Sequence, residues 1–180
     1  SDARSRGLSL PVVYNTGGYE TERSLVLLDG TVDVYLPDLK YMSEKAAVGY
    51  SAARGYPEIA KKALDVMFEQ VGEPVFENSM MKRGMIIRHL MLPGHLADTV
   101  KIINYVHKRF GNSVWFSLMS QYTPVRHIEK YPELDRRVEK RAYELAVQRC
   151  MDLGMEKVFI QDGEAAKESF IPEFSGSREW

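Results

Sequence analysis

Apolar residues recur along this chain in two alternating patterns. The first is a set of short runs: Leu10-Pro11-Val12-Val13-Tyr14, Thr31-Val32-Asp33-Val34-Tyr35-Leu36, Met85-Ile86-Ile87-Arg88-His89-Leu90, Ser113-Val114-Trp115-Phe116-Ser117-Leu118-Met119 and Lys157-Val158-Phe159-Ile160. Several are rich in β-branched residues and apolar at successive positions, which suits strands covered by helices on one side and by core on the other. The second pattern has helical period. Residues 57–71 carry Ile59, Ala60, Ala63, Leu64, Met67, Phe68 and Val71 on one stripe. Residues 96–110 carry Val100, Ile103, Val106 and Phe110, and residues 134–153 carry Val138, Ala142, Leu145, Ala146 and Leu153.

Asp98 and Thr99 near one helix start, and Gly111 and Gly154 after two helix ends, are reasonable punctuation. Strands alternating with helices predict an α/β fold, a mainly parallel sheet with right-handed crossovers. The span 43–83 is long enough for its helix and an extra loop around Gly72-Glu73-Pro74.

Composition narrows the function classes. The 180 residues suffice for one domain, 1–180, with a sizeable core. A net charge of −1 gives no strong pull on nucleic acid or on an anionic membrane, so neither is expected as a partner. No apolar run approaches the ~20 residues of a bilayer span. The first residues, Ser1 to Arg6, do not read as a secretory signal. With Cys150 as the single cysteine, the chain forms no internal disulfide, and its thiolates alone build no iron–sulfur or zinc site. A reducing cytoplasm is the expected location.

Each predicted strand runs straight into polar or glycine residues. These are Asn15-Thr16-Gly17-Gly18, Pro37-Asp38-Leu39-Lys40, Pro93-Gly94-His95, Ser120-Gln121-Tyr122 and Gln161-Asp162-Gly163. In a parallel sheet all of these gather on one edge, where α/β proteins bind ligands. Arg88 interrupts an apolar strand, and a buried guanidinium needs an acidic partner, either a ligand carboxylate or an internal acid such as Asp38. The reading favours the ligand. His89 falls on the opposite face and reads as a hydrogen-bonded structural histidine. Asp38 and Lys40 share a face and suit an ion pair. His95 has no metal-ligand spacing to His89, His107 and His127 read as surface residues, and Cys150 reads as a small core residue. Tyr35, Tyr50, Tyr56 and Trp115 read as packing.

These segments resemble a known group. Leu10 to Glu20, with Asn15-Thr16-Gly17-Gly18, resembles the third strand and turn of radical S-adenosylmethionine (SAM) proteins related to pyruvate formate-lyase activating enzymes. Val32 to Met42, with its Asp38-Leu39-Lys40, resembles their fourth strand and its Asp-x-Lys motif. Gly84 to Gly94, with Arg88 and Pro93-Gly94, resembles the fifth, and Phe116 to Tyr122 the sixth. The likeness covers roughly residues 7 to 155, with its motifs in order.

The resemblance implies a partial (β/α)6 barrel, of which this chain is the C-terminal part. It implies a [4Fe–4S] cluster held by Cys-x3-Cys-x2-Cys, and SAM on the open iron, in the whole protein. Reductive cleavage of SAM then gives a 5′-deoxyadenosyl radical, which acts on a protein partner in the activating enzymes. Carried over by position, Arg88 binds the methionyl carboxylate of SAM. Asp38 and Lys40 sit beside the same moiety, and Asp38 helps hold a monovalent cation. Asn15, Thr16 and Gln121 line the same site. Asn15 stands where the glycyl-radical activating enzymes have an acidic residue, so a glycyl-radical partner does not follow.

No Cys-x3-Cys-x2-Cys occurs here, and no Gly-Gly-Glu motif precedes residue 7. The chain is therefore expected to be a fragment that is inactive alone and binds neither cluster nor SAM tightly. Its first strand would be an unprotected edge, with homodimerisation through it as the expected outcome. Two other classes remain open. One is a small α/β lyase or hydrolase using Asp38, Lys40 or His89 as acid–base groups, although no Gly-x-Ser-x-Gly motif is present. The other is a non-catalytic interaction module using the edge strand or the aromatic tail from Phe170 to Trp180.

Overall fold

Helices and strands alternate in a computed structural model that describes residues 2–124 and 129–160. The order is α1 (Asp2–Ser5), β1 (Val13–Thr16), α2 (Glu22–Val26), β2 (Val34–Pro37), α3 (Glu44–Ser51), α4 (Tyr56–Val71), β3 (Val75–Glu77), β4 (Met80–Leu90), α5 (Leu96–Phe110), β5 (Trp115–Met119), a 3-10 turn at Pro132–Leu134, α6 (Lys140–Asp152) and β6 (Val158–Ile160). The strands form one sheet in the order β1-β2-β4-β5-β6, with β3 beside β4. Every pairing along that path is parallel, as the alternation requires, and only β3 runs antiparallel. His127 and the segments from Gln161 to Gly163 and from Phe170 to Trp180 lie outside the described residues.

Several boundaries differ from the pattern, each for a local reason. The first strand begins at Val13, not Leu10; just before it the Val12 N–H is taken by the Asp33 carboxylate at 2.7 Å. The second begins at Val34, not Thr31, because the Thr31 and Val32 amides both close a turn onto the Leu28 carbonyl. The last helix begins at Lys140, not Leu134; the chain first makes a separate 3-10 turn, whose Asp135 N–H bonds back to Pro132. The span 43–83 holds more than one helix and a loop. It contains α3, α4 and a hairpin of β3 with β4, turned by Asn78 and Ser79 at φ 50° and 63°. Two left-handed central residues are what a two-residue hairpin turn requires. Gly84 lets that hairpin pass close to Pro74, since a Cβ there would sit 2.8 Å from the Pro74 Cα.

The core lies between one face of the sheet and the long helices. Ala60, Ala63, Leu64, Met67 and Val71 of α4, and Ile102, Ile103 and Val106 of α5, are buried together with Tyr35, Met85, Ile87, Phe116 and Leu118 of the strands. Each large apolar side chain buried here stabilises the fold by about 1.5–3 kcal/mol. Cys150 is buried in the same core. The alternation of β4 then sorts its side chains: Met85, Ile87 and His89 are buried, while Ile86, Arg88 and Leu90 are half-buried. Register carries the sorting across the sheet. Arg88 pairs with Ser117 of β5 and bridges Asp38, and Val34 at the start of β2 pairs with Val13. The sheet thus has a helix-covered face and a second face that is partly open, with Arg88 near its carboxyl end.

Candidate functional site

Three strands deliver polar side chains to one place on the partly open face. The Asp38 amide bonds to the Thr16 carbonyl at 2.9 Å and the Leu39 amide to the Arg88 carbonyl at 2.8 Å, so the ladder continues just past β2 and locks Asp38 beside Arg88. One oxygen of the Asp38 carboxylate lies 2.7 Å from the Arg88 guanidinium, and the other lies 2.8 Å from the Lys40 ammonium. The same guanidinium nitrogen donates to the Asn15 side-chain oxygen at 2.6 Å. Asn15, Asp38, Lys40 and Arg88 are therefore one connected group. Asp38 is thus the internal acid that pairs with Arg88, one of the two partners the sequence offered. With two cations and one carboxylate, the group carries a net charge of +1.

The group is partly desolvated. Side-chain exposure is 19% for Asp38, 28% for Arg88 and 44% for Lys40. The Arg88 Nε is buried and has no hydrogen-bond partner. A partly exposed guanidinium beside an exposed ammonium and an exposed amide can take a carboxylate.

Two of the sequence candidates stand apart from this group. Thr16 is buried and sits in register with Pro37; its hydroxyl donates to Glu20 at 2.6 Å and accepts the Gly18 N–H at 3.2 Å. Gln121 is exposed beyond β5 and lines a hollow of about 790 Å³ bounded by Arg137, Lys140, Tyr143 and Ile160. None of the four connected residues lines that hollow.

His89 does not join them either. It lies on the helix-covered face, 3% exposed, with Nδ1 2.8 Å from the Leu39 carbonyl and Nε2 3.0 Å from the Thr99 hydroxyl. Burial pushes its pKa down to about 4, so it stays neutral. The geometry removes it from any acid–base set with Asp38 and Lys40. Asp98 is not a cap but a brace: His95 occupies the N-cap position of α5, and Asp98 accepts the Met42 N–H at 3.0 Å. Tyr50 does more than pack, since its hydroxyl meets His95 at 2.8 Å and Glu133 at 2.7 Å.

One residue read from the sequence as packing also reaches the site. Tyr56, at the start of α4, is 2% exposed, and its hydroxyl reaches the backbone of both turns that carry the site. Its sequence context, Gly55-Tyr56-Pro57, marks a helix start and says nothing of where the hydroxyl goes.

In open parallel α/β sheets, ligands bind outside the carboxyl ends of the strands, which is where this charged group lies. Among solved structures, a domain of pyruvate-formate lyase-activating enzyme from Bacteroides vulgatus is similar in fold. The TM-score is 0.61 at 13% identity, over 88% of this chain and 86% of that one. The two share an α/β fold with a mainly parallel sheet, the fold class that the sequence pattern predicts. An uncharacterized protein of Methanocaldococcus jannaschii is 34% identical over 151 residues, which is 81% of this chain. The chain spans about 40% of the length of that relative. No family model matches the chain.

The two groups implied by the resemblance fit differently. The head of SAM, a carboxylate beside an ammonium, matches a site with a partly exposed Arg88 guanidinium and a partly exposed Asp38 carboxylate. A [4Fe–4S] cluster does not fit this chain's own donors, because the single thiol, Cys150, is buried and burial raises its pKa to about 11. Among the described residues, no group of three or more His, Cys, Asp or Glu side chains could hold a metal ion. Likewise among them, no helix is long and apolar enough to cross a membrane.

Proposed function

We propose that this chain is the C-terminal portion of a radical SAM protein and forms the part of its site that grips the amino-acid head of S-adenosylmethionine. The observation that supports this reading is the Asn15–Arg88–Asp38–Lys40 group at the carboxyl edge of a sheet shared with an activating-enzyme domain. Arg88 holds the methionyl carboxylate through the exposed part of its guanidinium, and Lys40 adds charge from the exposed side. Asp38 accepts from the ammonium, and Asn15 fixes the guanidinium plane. SAM bound to a cluster supplies a 5′-deoxyadenosyl radical in such proteins. The cluster's cysteines would come from polypeptide outside these 180 residues, and a protein substrate would meet the same edge.

The test has two parts. Titration of this chain with SAM or L-methionine, followed by amide NMR, should shift the signals of Asn15, Asp38, Lys40 and their neighbours, and Arg88→Ala should abolish the shifts. A flat titration of the wild-type chain would falsify the head-group site. Then a polypeptide joining this chain to a cysteine-bearing segment, reconstituted with iron and sulfide, should release 5′-deoxyadenosine on reduction. Failure of that step alone would leave a SAM-binding protein without radical chemistry.

A further inference from the structure

Tyr56 sits behind the site rather than in it. Its hydroxyl donates toward the carbonyl oxygens of Gly17 and Asp38, each 3.0 Å away, and accepts the Lys40 N–H at 2.9 Å. Gly17 belongs to the turn after β1, and Asp38 and Lys40 belong to the turn after β2. One phenol therefore bonds to both turns. The turns also touch directly, because a Cβ on Gly18 would lie 2.2 Å from the Asp38 carbonyl oxygen and 3.4 Å from the Tyr56 hydroxyl.

The ring is held as firmly as its oxygen. It stacks on Tyr19 at 5.8 Å between centroids and meets the edge of Tyr41 at 5.5 Å. The Tyr19 hydroxyl donates to the Arg54 carbonyl at 2.6 Å, tying the first turn to the start of α4. Pro57 follows Tyr56 in the first turn of α4, where a proline N–H is not needed. Burial raises the Tyr56 pKa well above the ordinary tyrosine value, so the donor is never lost at working pH.

We infer that Tyr56 is the positioning residue of this site: by pinning the Gly17 and Asp38 carbonyls and the Lys40 amide to one hydroxyl, it sets the spacing between Asn15 on one turn and Asp38 and Lys40 on the other. This rests on the head-group reading above. Arg88 touches both Asn15 and Asp38, so it closes correctly on a carboxylate only if the two turns stay in register. Without the hydroxyl, the two carbonyls and the amide lose this shared partner while the apolar packing of the ring remains.

The test compares Tyr56→Phe with Tyr35→Phe, which removes a hydroxyl bonded to Gln70 on the helix-covered side. Three readouts are taken: thermal midpoint, hydrogen exchange at the Lys40 amide, and affinity for L-methionine by NMR titration. Tyr56→Phe should speed Lys40 exchange and weaken methionine binding, each about tenfold, beyond what its change in midpoint accounts for. Tyr35→Phe should lower the midpoint and leave both site readouts unchanged. An unchanged affinity in folded Tyr56→Phe, or equal losses in both variants, overturns the positioning role. If wild-type protein binds no methionine, the head-group reading fails and takes this role with it. The Lys40 exchange rate then reports separately whether the cross-link exists.

Discussion

Arg88 and Asp38 face each other across adjacent parallel strands and are joined twice, by a backbone bridge and by an ion pair of 2.7 Å. The bridge fixes where the two Cα atoms lie, so little extra side-chain order is needed to make the pair. Both groups remain partly exposed, which places the pair between a screened surface bridge and a fully buried one.

A double-mutant cycle should therefore find real coupling. Asp38→Asn and Arg88→Gln should each cost about 1–2 kcal/mol by urea denaturation, and the double variant should cost less than their sum by about 0.5–1 kcal/mol. Strictly additive losses would show that solvent screens the pair.

Stability should fall with acid through His89. Its pKa is about 4 when folded, against about 6.5 in an unfolded chain. Above pH 6.5 both states are neutral and the group costs nothing. Between about pH 6.5 and 4 the unfolded state binds a proton that the folded state refuses, so stability declines, by about 3 kcal/mol in all. Chemical denaturation at several pH values should show this slope in the wild type, and His89→Gln should remove most of it. A His89→Gln variant with the full slope would assign the effect elsewhere.

Gly18 should tolerate no side chain. It has φ +75°, and a Cβ would meet a backbone oxygen that cannot rotate away. Gly18→Ala should destabilise by about 3 kcal/mol or more, combining backbone strain with displacement of the Asp38 carbonyl. Gly30, also at positive φ but with nothing within 4 Å, provides the contrast. Its alanine variant should lose only about 1 kcal/mol, the strain alone. Equal losses at the two positions would mean the close approach is not felt.

The free edge at β1 should drive self-association. Leu10 and Val13 are 62% and 51% exposed beside a strand with one unpaired side. Light scattering at rising protein concentration should give masses above the monomer, and Val13→Lys should restore the monomer. A monomer throughout the series excludes this contact.

Much of this architecture was legible from spacing alone. The five parallel strands, three long helices and carboxyl-edge clusters follow from hydrophobic period, because helices and strands bury different faces. Legibility stopped where a backbone group, not a side-chain pattern, decided the outcome. The start of β2 was set by amides turning back to Leu28, and the β3–β4 hairpin by two left-handed residues, Asn78 and Ser79, neither of them glycine. At the site, Arg88 was marked as a cation in an apolar strand, Asp38 and Lys40 by their shared face, and Asn15 by the family resemblance. Thr16 obeys the same alternation and so turns away, onto the helix side. Tyr56 was invisible as a site component, since its partners are carbonyls and an amide that every residue type carries.

Consecutive residues of β4 serve opposite purposes: Arg88 belongs to the charged edge, and its neighbour His89 is sealed among the helices. A slip of that strand by a single position would bury a permanent cation and strand an imidazole in water. Insertions or deletions within Met85 to Leu90 are therefore closed to this protein as a way of altering what it binds. Changes of ligand preference must come instead from the turns that follow the strands, where length can vary without disturbing the interior.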